Sequence, residues 1–346
     1  MSELRAGLER SRRRAAAAIA GVLVVALVAS GCGEKPETGA GEPDEFNLAL
    51  DFYVNADHAG IYTALANGYF EAAGLDVQPR VPSDPSAPIK QVAAGRADLA
   101  ISYEPEVMLA RDQGLPVVAV AALVQKPLTS LISLPPAGIK TPADLEGKSV
   151  VTAGIPYQTA YLDTILQDAG VDPATVAQQD VGLNLLSPLL SGSADAMFGG
   201  FLNIEGVQLQ QDGKNPLVQP INELGIPTYN ELVLVANSDT LDEKQSEIRA
   251  FIAALERGTD DAEDDPQAAT DALLDASPDL NPQLTKAQVV KTLPYFEPSP
   301  NKPFGYMDPS EWIGFASFMA DQGQIVERIG TAQLLTNDLL PGEIPD

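Results

Sequence analysis

Short apolar runs alternate, from residue 46 to about 240, with stretches whose apolar positions recur at helical spacing. The runs predict strands at Asn47–Phe52, Asp98–Ser102, Pro116–Leu123, Leu131–Leu134, Ser149–Thr152, Ala194–Phe198 and Leu232–Ala236. Helices are predicted between them, near 59–67, 86–94, 104–112, 157–169, 184–190 and 203–211. Gly95, Gly114, Gly170 and Gly192 fall where several of these helices end, as expected of the residue that tolerates left-handed backbone past a last turn. Strand–helix alternation of this kind predicts an α/β protein with parallel-rich sheets and crossover helices.

The alternation breaks at Leu134-Pro135-Pro136-Ala137-Gly138 and restarts at Ser149. It runs to about Pro227, where the apolar stretch Glu231–Asn237 leads back; beyond Leu241 the pattern is helical with acidic, proline-marked joints. The economical reading is two lobes joined by two crossings, with 46–134 plus 237–346 as the first and 135–236 inserted as the second. Hinge closure around a bound solute would suit that arrangement.

Residues 51–70, DFYVNADHAGIYTALANGYF, are the stretch on which the rest is organised. A strand end passes through the polar turn Asn55-Ala56-Asp57-His58 into a helix with Ile61 and Leu65 one turn apart on one face. In an open α/β sheet such a turn borders the crevice where small ligands sit. It also carries the only histidine of the chain.

Composition narrows the chemistry. With 346 residues the chain suits two domains, and its formal charge is −27. The first 31 residues hold five Arg and two Glu, so the remainder has 16 basic and 46 acidic groups, or −30. That surface repels phosphate backbones, which argues against nucleic acid as a partner. A single cysteine, Cys32, allows no intrachain disulfide and no thiolate metal site. No cofactor is expected.

Arg5, Arg10, Arg12, Arg13 and Arg14 precede an uncharged, mostly apolar segment, Ala15 to Gly31, that ends Val28-Ala29-Ser30-Gly31-Cys32. Residues 1–31 thus read as an export signal whose end resembles a bacterial lipobox, with Cys32 the lipidated residue. Residues 32–45, rich in Pro, Gly and acids, then form a flexible tether, placing the body outside the cytoplasm and anchored to the membrane.

Longer stretches carry a family resemblance: NADHAGIYTALANGYFEAAGLDV (55–77), QVAAGRADLAISYEPEVMLARDQGLPVVAVAAL (91–123), GIKTPADLEGKSV (138–150) and GGFLNIEG (199–206). They resemble solute-binding proteins of ABC importers in the group shared with the fungal thiamine-pyrimidine synthase, near the formylaminopyrimidine- and riboflavin-binding members and related to alkanesulfonate-binding proteins. The resemblance implies the two-lobed type II periplasmic-binding fold with two crossover strands. It also implies a monomer that delivers a small heteroaromatic solute to permease and ATPase subunits. The synthase branch carries a cysteine-rich run, a lysine that holds pyridoxal phosphate and a histidine one turn later. Here the run reads Pro227-Thr228-Tyr229-Asn230-Glu231, and Ser102 and Glu106 occupy the lysine and histidine positions. An enzyme is therefore not expected; a synthase, or a solute sensor without transport, are the alternatives.

In this fold the site gathers side chains from strand-to-helix turns of both lobes. The first lobe offers Tyr53, Asn55, Asp57 and His58, then Tyr103, Glu104 and Glu106; the second offers Tyr157, Gln158, Phe201, Asn203 and Glu205, with Tyr229 near a crossing. Aromatic rings beside amides and carboxylates suit a flat, nitrogen-rich ring, stacked on its faces and donating from an exocyclic amine. Tyr53, His58, Tyr157 and Glu205 are expected to face one shared cavity. Each residue also has a plainer role open to it: His58 and Asp57 can cap a helix, and Glu104 and Glu106 can answer a helix dipole. These turns hold no arginine, which disfavours a sulfonate or nitrate.

Overall fold

The computed structural model describes residues 43–298, 300–326 and 329–342; the expected export signal, Cys32 and most of the expected tether lie outside them. Ten strands follow in order among these residues: β1 (Asp44–Ala49), β2 (Leu75–Arg80), β3 (Leu99–Ser102), β4 (Val117–Val124), β5 (Thr129–Ser133), β6 (Ser149–Thr152), β7 (Ala177–Asp180), β8 (Ala196–Phe201), β9 (Leu217–Pro220) and β10 (Leu232–Asn237). They form two five-stranded sheets, ordered β2-β1-β3-β10-β4 and β7-β6-β8-β5-β9. In the first, β1 runs parallel to β2 and β3, while β10 is antiparallel to β3 and β4. The second repeats the plan, with β6 parallel to β7 and β8, and β5 antiparallel to β8 and β9.

Both sheets are thus parallel-rich, flanked by helices, and each receives one reversed strand from the chain on its way to or from the other. The chain changes sheet at 125–128 and again between β9 and β10. Both changes come earlier than the sequence boundaries at 134 and 236. The Pro-Pro-Ala-Gly signal marks a short 3-10 turn, Pro135–Ala137, after β5 has already joined the second sheet. Pairing, which sequence punctuation does not report, fixes the change of sheet.

Strands β3, β4 and β5 are buried along their whole length, covered on both faces; β4 is a continuous apolar run, while β5, Thr-Ser-Leu-Ile-Ser, buries three hydroxyl side chains as well. Although β4 is an edge strand, segments nearer the C terminus cover it. Ala122 N–H donates to Gly305 O, and Thr336 N–H to Ala119 O. That removes an open template for pairing. The helix Ala59–Ala66, which opens on the first turn, lies tightly on the long helix Leu241–Asp264. A Cβ at Gly258 would come within 2.4 Å of Gly60 O, so the contact requires glycine. This seats the Asn55–His58 turn on a rigid base. Phe251 of the long helix stacks on Phe46 and Phe70 at 5.3 and 4.8 Å, completing the core of that lobe.

Candidate functional site

A narrow cleft, partly open to solvent, lies between the C-terminal ends of the two sets of parallel strands. Asp51, Phe52, Asn55 and Tyr103 line it from the first sheet's side; Ala153, Ile155, Gln158, Leu185, Gly199, Phe201, Ile204 and Glu205 line it from the second's. None of these lining residues is Lys or Arg.

Strand β1 ends at Ala49, short of the expected Phe52, and the chain turns so that Asp51 borders the cleft. Asp51 is 2 % exposed and held by two donors. His58 Nε2 lies 2.9 Å from its Oδ1, and Tyr103 OH donates to Oδ2 at 3.0 Å. The backbone N–H of Asn55 donates to His58 Nδ1 at 3.3 Å, so the ring proton belongs on Nε2, which then donates to Asp51. Burial, and then the Asp51 charge, push the Tyr103 hydroxyl well above its usual range, which keeps it a donor. A carboxylate has about four acceptor positions. Two are taken, so Asp51 retains lone pairs for a donor in the cleft.

On the facing wall, Gln158 Oε1 accepts the Ala153 N–H at 2.9 Å, leaving its NH2 end to donate. This requires Gly199, whose φ is +100° and whose Cβ would sit 2.3 Å from Gln158 Nε2. Glu205 Oε2 accepts the Phe201 N–H at 2.7 Å, and burial pushes its carboxyl up to about 7 against that hydrogen bond. The cleft therefore presents the Asp51 carboxylate, the Glu205 carboxyl, an amide donor and apolar faces. It can accept hydrogen bonds from a flat, donor-bearing molecule and has no cation to pair with an anionic group.

Of the residues expected from sequence, Asn55, Tyr103, Gln158, Phe201 and Glu205 line this cleft, and the other eight do not. Asn55 is used locally: its Oδ1 caps the turn through Asp57 N–H and its Nδ2 donates to Tyr53 O. Tyr53 is 53 % exposed and lies at an outer rim. His58 acts through Asp51. Asp57 is buried and pairs with Asn203, whose Nδ2 donates to Asp57 Oδ1 and to Thr292 Oγ1, both at 2.6 Å. This contact joins a turn of the second sheet to the first lobe.

Glu104 Oε2 accepts the Asn230 N–H at 2.7 Å, and Glu106 accepts from Ser102 Oγ; both acids are buried. Tyr157 and Tyr229 belong to an aromatic cluster with Tyr103, Tyr161, Phe315 and Phe318, with neighbouring centroids 5.0–6.4 Å apart. Ring-to-ring packing, which burial rewards, has drawn these side chains behind the cleft wall. Of the four residues expected to share one cavity, only Glu205 lines the cleft. Sequence reasoning missed Asp51, Phe52, Ala153, Ile155, Leu185, Gly199 and Ile204. An acid closing the apolar run Leu48-Ala49-Leu50-Asp51 was the available signal for the first.

Another buried acid, Glu231, sits where the chain recrosses. It accepts from Leu128 N–H (2.5 Å), Thr129 N–H (2.7 Å), Thr129 Oγ1 (2.8 Å) and Tyr229 OH (3.1 Å). One crossing is pinned to the other through this side chain.

Two sheets of the same reversed-strand plan, with a cleft between their strand ends, define a two-lobed binding-protein fold. Solved structures agree on this point. The alkanesulfonate-binding protein SsuA from Xanthomonas axonopodis pv. citri, bound to MOPS, superposes with a TM-score of 0.68 over 86% of this chain and 99% of its own, at 15% identity. The aliphatic sulphonate binding protein SsuA from Escherichia coli gives 0.64 over 88% and 97%, at 14%.

The chain belongs to the NMT1/THI5-like family, whose model matches residues 55–269. It is 34% identical to a formylaminopyrimidine-binding protein of Halalkalibacterium halodurans over 305 residues, 87% of this chain and 92% of the relative. A 4-amino-5-hydroxymethyl-2-methylpyrimidine phosphate synthase of Saccharomyces cerevisiae is 25% identical over 267 residues, 74% of this chain and 78% of the relative. The family thus holds both binding proteins and synthases.

Proposed function

We propose that this protein is the solute-binding component of an ABC importer and closes on a small heteroaromatic compound of the thiamine-pyrimidine-precursor kind. The supporting observation is the cleft itself: Asp51 and Glu205 offer acceptors, Gln158 offers an amide donor, and no lining residue is cationic. An aminopyrimidine matches that set, donating its exocyclic amine to a carboxylate while a ring nitrogen accepts from the amide. An alkanesulfonate would meet two carboxylates with no partner for its charge. The 34% identity to a formylaminopyrimidine-binding protein across nearly the whole relative supports the same ligand class.

Binding without turnover is the consistent reading. Ser102 and Glu106, which by the resemblance stand where the synthase branch carries a lysine and a histidine, hydrogen-bond to each other and lie outside the cleft lining. The two crossings form the hinge, the Asn203–Asp57 contact forms on closure, and the protein is tethered outside the cell membrane through lipid on Cys32. It acts there as a monomer feeding permease and ATPase subunits.

Calorimetry on the mature protein with formylaminopyrimidine, riboflavin and MOPS tests the assignment. One-to-one binding of the pyrimidine and none of MOPS is expected. Silence for both ring compounds with binding of MOPS would overturn it.

A further inference from the structure

The cleft does not end at its inner lining. Phe52, Asn55, Leu185, Ile204 and Glu205 also border an outer chamber that is partly open to solvent and has Asn184, Gln208, Asn281, Thr285 and Gln288 along its polar edge. Leu183 and Leu186 stand on its second-lobe side, and Leu280 and Leu284 on its first-lobe side. All four leucines are partly exposed. Apolar surface left in water costs about 25 cal/mol per Å², so leucines around one opening are stabilised by an apolar occupant. No Lys, Arg or Asp lines the chamber; Glu205, at the junction, is its one charged residue. One Glu205 oxygen holds the Phe201 N–H, and its carboxylate keeps lone pairs for a further donor.

We propose that the outer chamber is a second subsite, taking an uncharged, apolar arm carried by the ring in the inner cleft and joined to it through an N–H that Glu205 accepts. This rests on the ring-binding reading of the inner cleft and specifies which substituted rings bind best. Selection works by burial of the arm against the leucines and by the donor at the joint, while an anionic arm is disfavoured by Glu205 itself.

The test compares a bare ring, 4-amino-5-hydroxymethyl-2-methylpyrimidine, with the corresponding aminomethyl ring acylated on nitrogen by a butanoyl group. The acylated ring is expected to bind at least tenfold more tightly to the unaltered protein. Leu284→Trp, which fills the chamber, is expected to abolish that gain and leave bare-ring affinity within twofold. Leu186→Trp, from the opposite wall, must give the same pattern, with thermal unfolding confirming that both variants fold. Equal affinity for the two rings, or a parallel loss of both in the variants, would overturn the subsite and leave the inner-cleft reading intact. Silence for both rings in the unaltered protein would overturn both.

Discussion

Asp51 and Glu231 are both buried carboxylates between the sheets, yet their surroundings make them different devices. Glu231 is surrounded by donors from the chain itself: two backbone N–H groups and two hydroxyls. Its acceptor capacity is spent on joining one crossing to the other. Asp51 is held by one donor on each oxygen, and the remaining lone pairs border the cleft. A carboxylate saturated by its own chain is a structural pin, and one that is fixed but half-satisfied is suited to recognition. Burial alone does not separate them; the inventory of partners does.

Breaking the pin should have the largest effect. Glu231→Ala strands two buried N–H groups, and a loss of about 3 kcal/mol in unfolding free energy is expected from denaturant titration. Ring affinity measured well below the unfolding midpoint should change much less. Glu231→Gln keeps an oxygen for the N–H pair and turns its NH2 toward hydroxyls that can accept, so the expected loss is about 1 kcal/mol. Equal losses in both variants would show that the hydrogen bonds are not what joins the crossings.

The next effect sharpens the cleft side. Gly199→Ala places a methyl in a left-handed backbone position against the Gln158 amide, and strain plus displacement of that donor should weaken ring binding about tenfold. Unchanged calorimetric affinity would remove Gln158 from the recognition set.

A further effect is shared by three buried acids. Burial pushes Glu106, Glu205 and Glu231 up to about 7, whereas the unfolded chain titrates its glutamates near ~4.3. Between those values the folded protein holds protons that the unfolded chain has released, so stability falls as pH rises through that window. Melting temperature should be higher at pH 5.5 than at pH 7.5. A rise across the same interval would contradict the burial of these groups.

Strands β4 and β10 were legible because burial on both faces writes them as near-continuous apolar runs. Strands β2, β7 and β9 were not, since they are half-exposed edges; β7 reads Ala-Gln-Gln-Asp and carries no apolar run at all. The turns that build the cleft were also legible, because a strand end followed by a helix start fixes their place. Which way each side chain faces was not. Tyr157 follows the right turn but packs against Tyr103 and Tyr161, while Gln158, the next residue, lines the cleft. His58 was singled out for its rarity, and its role turns on Asp51, a residue read as the tail of a strand.

The central claim is that Asp51, oriented by His58 and Tyr103, reads a donor on an uncharged ring. Calorimetry of formylaminopyrimidine binding to the unaltered protein and to Asp51→Asn tests it most directly, with melting temperatures recorded alongside. A charged hydrogen bond is worth about 1.5–3 kcal/mol, so a loss of roughly 10- to 100-fold in affinity with folding retained is expected. The same affinity in both proteins would contradict the account.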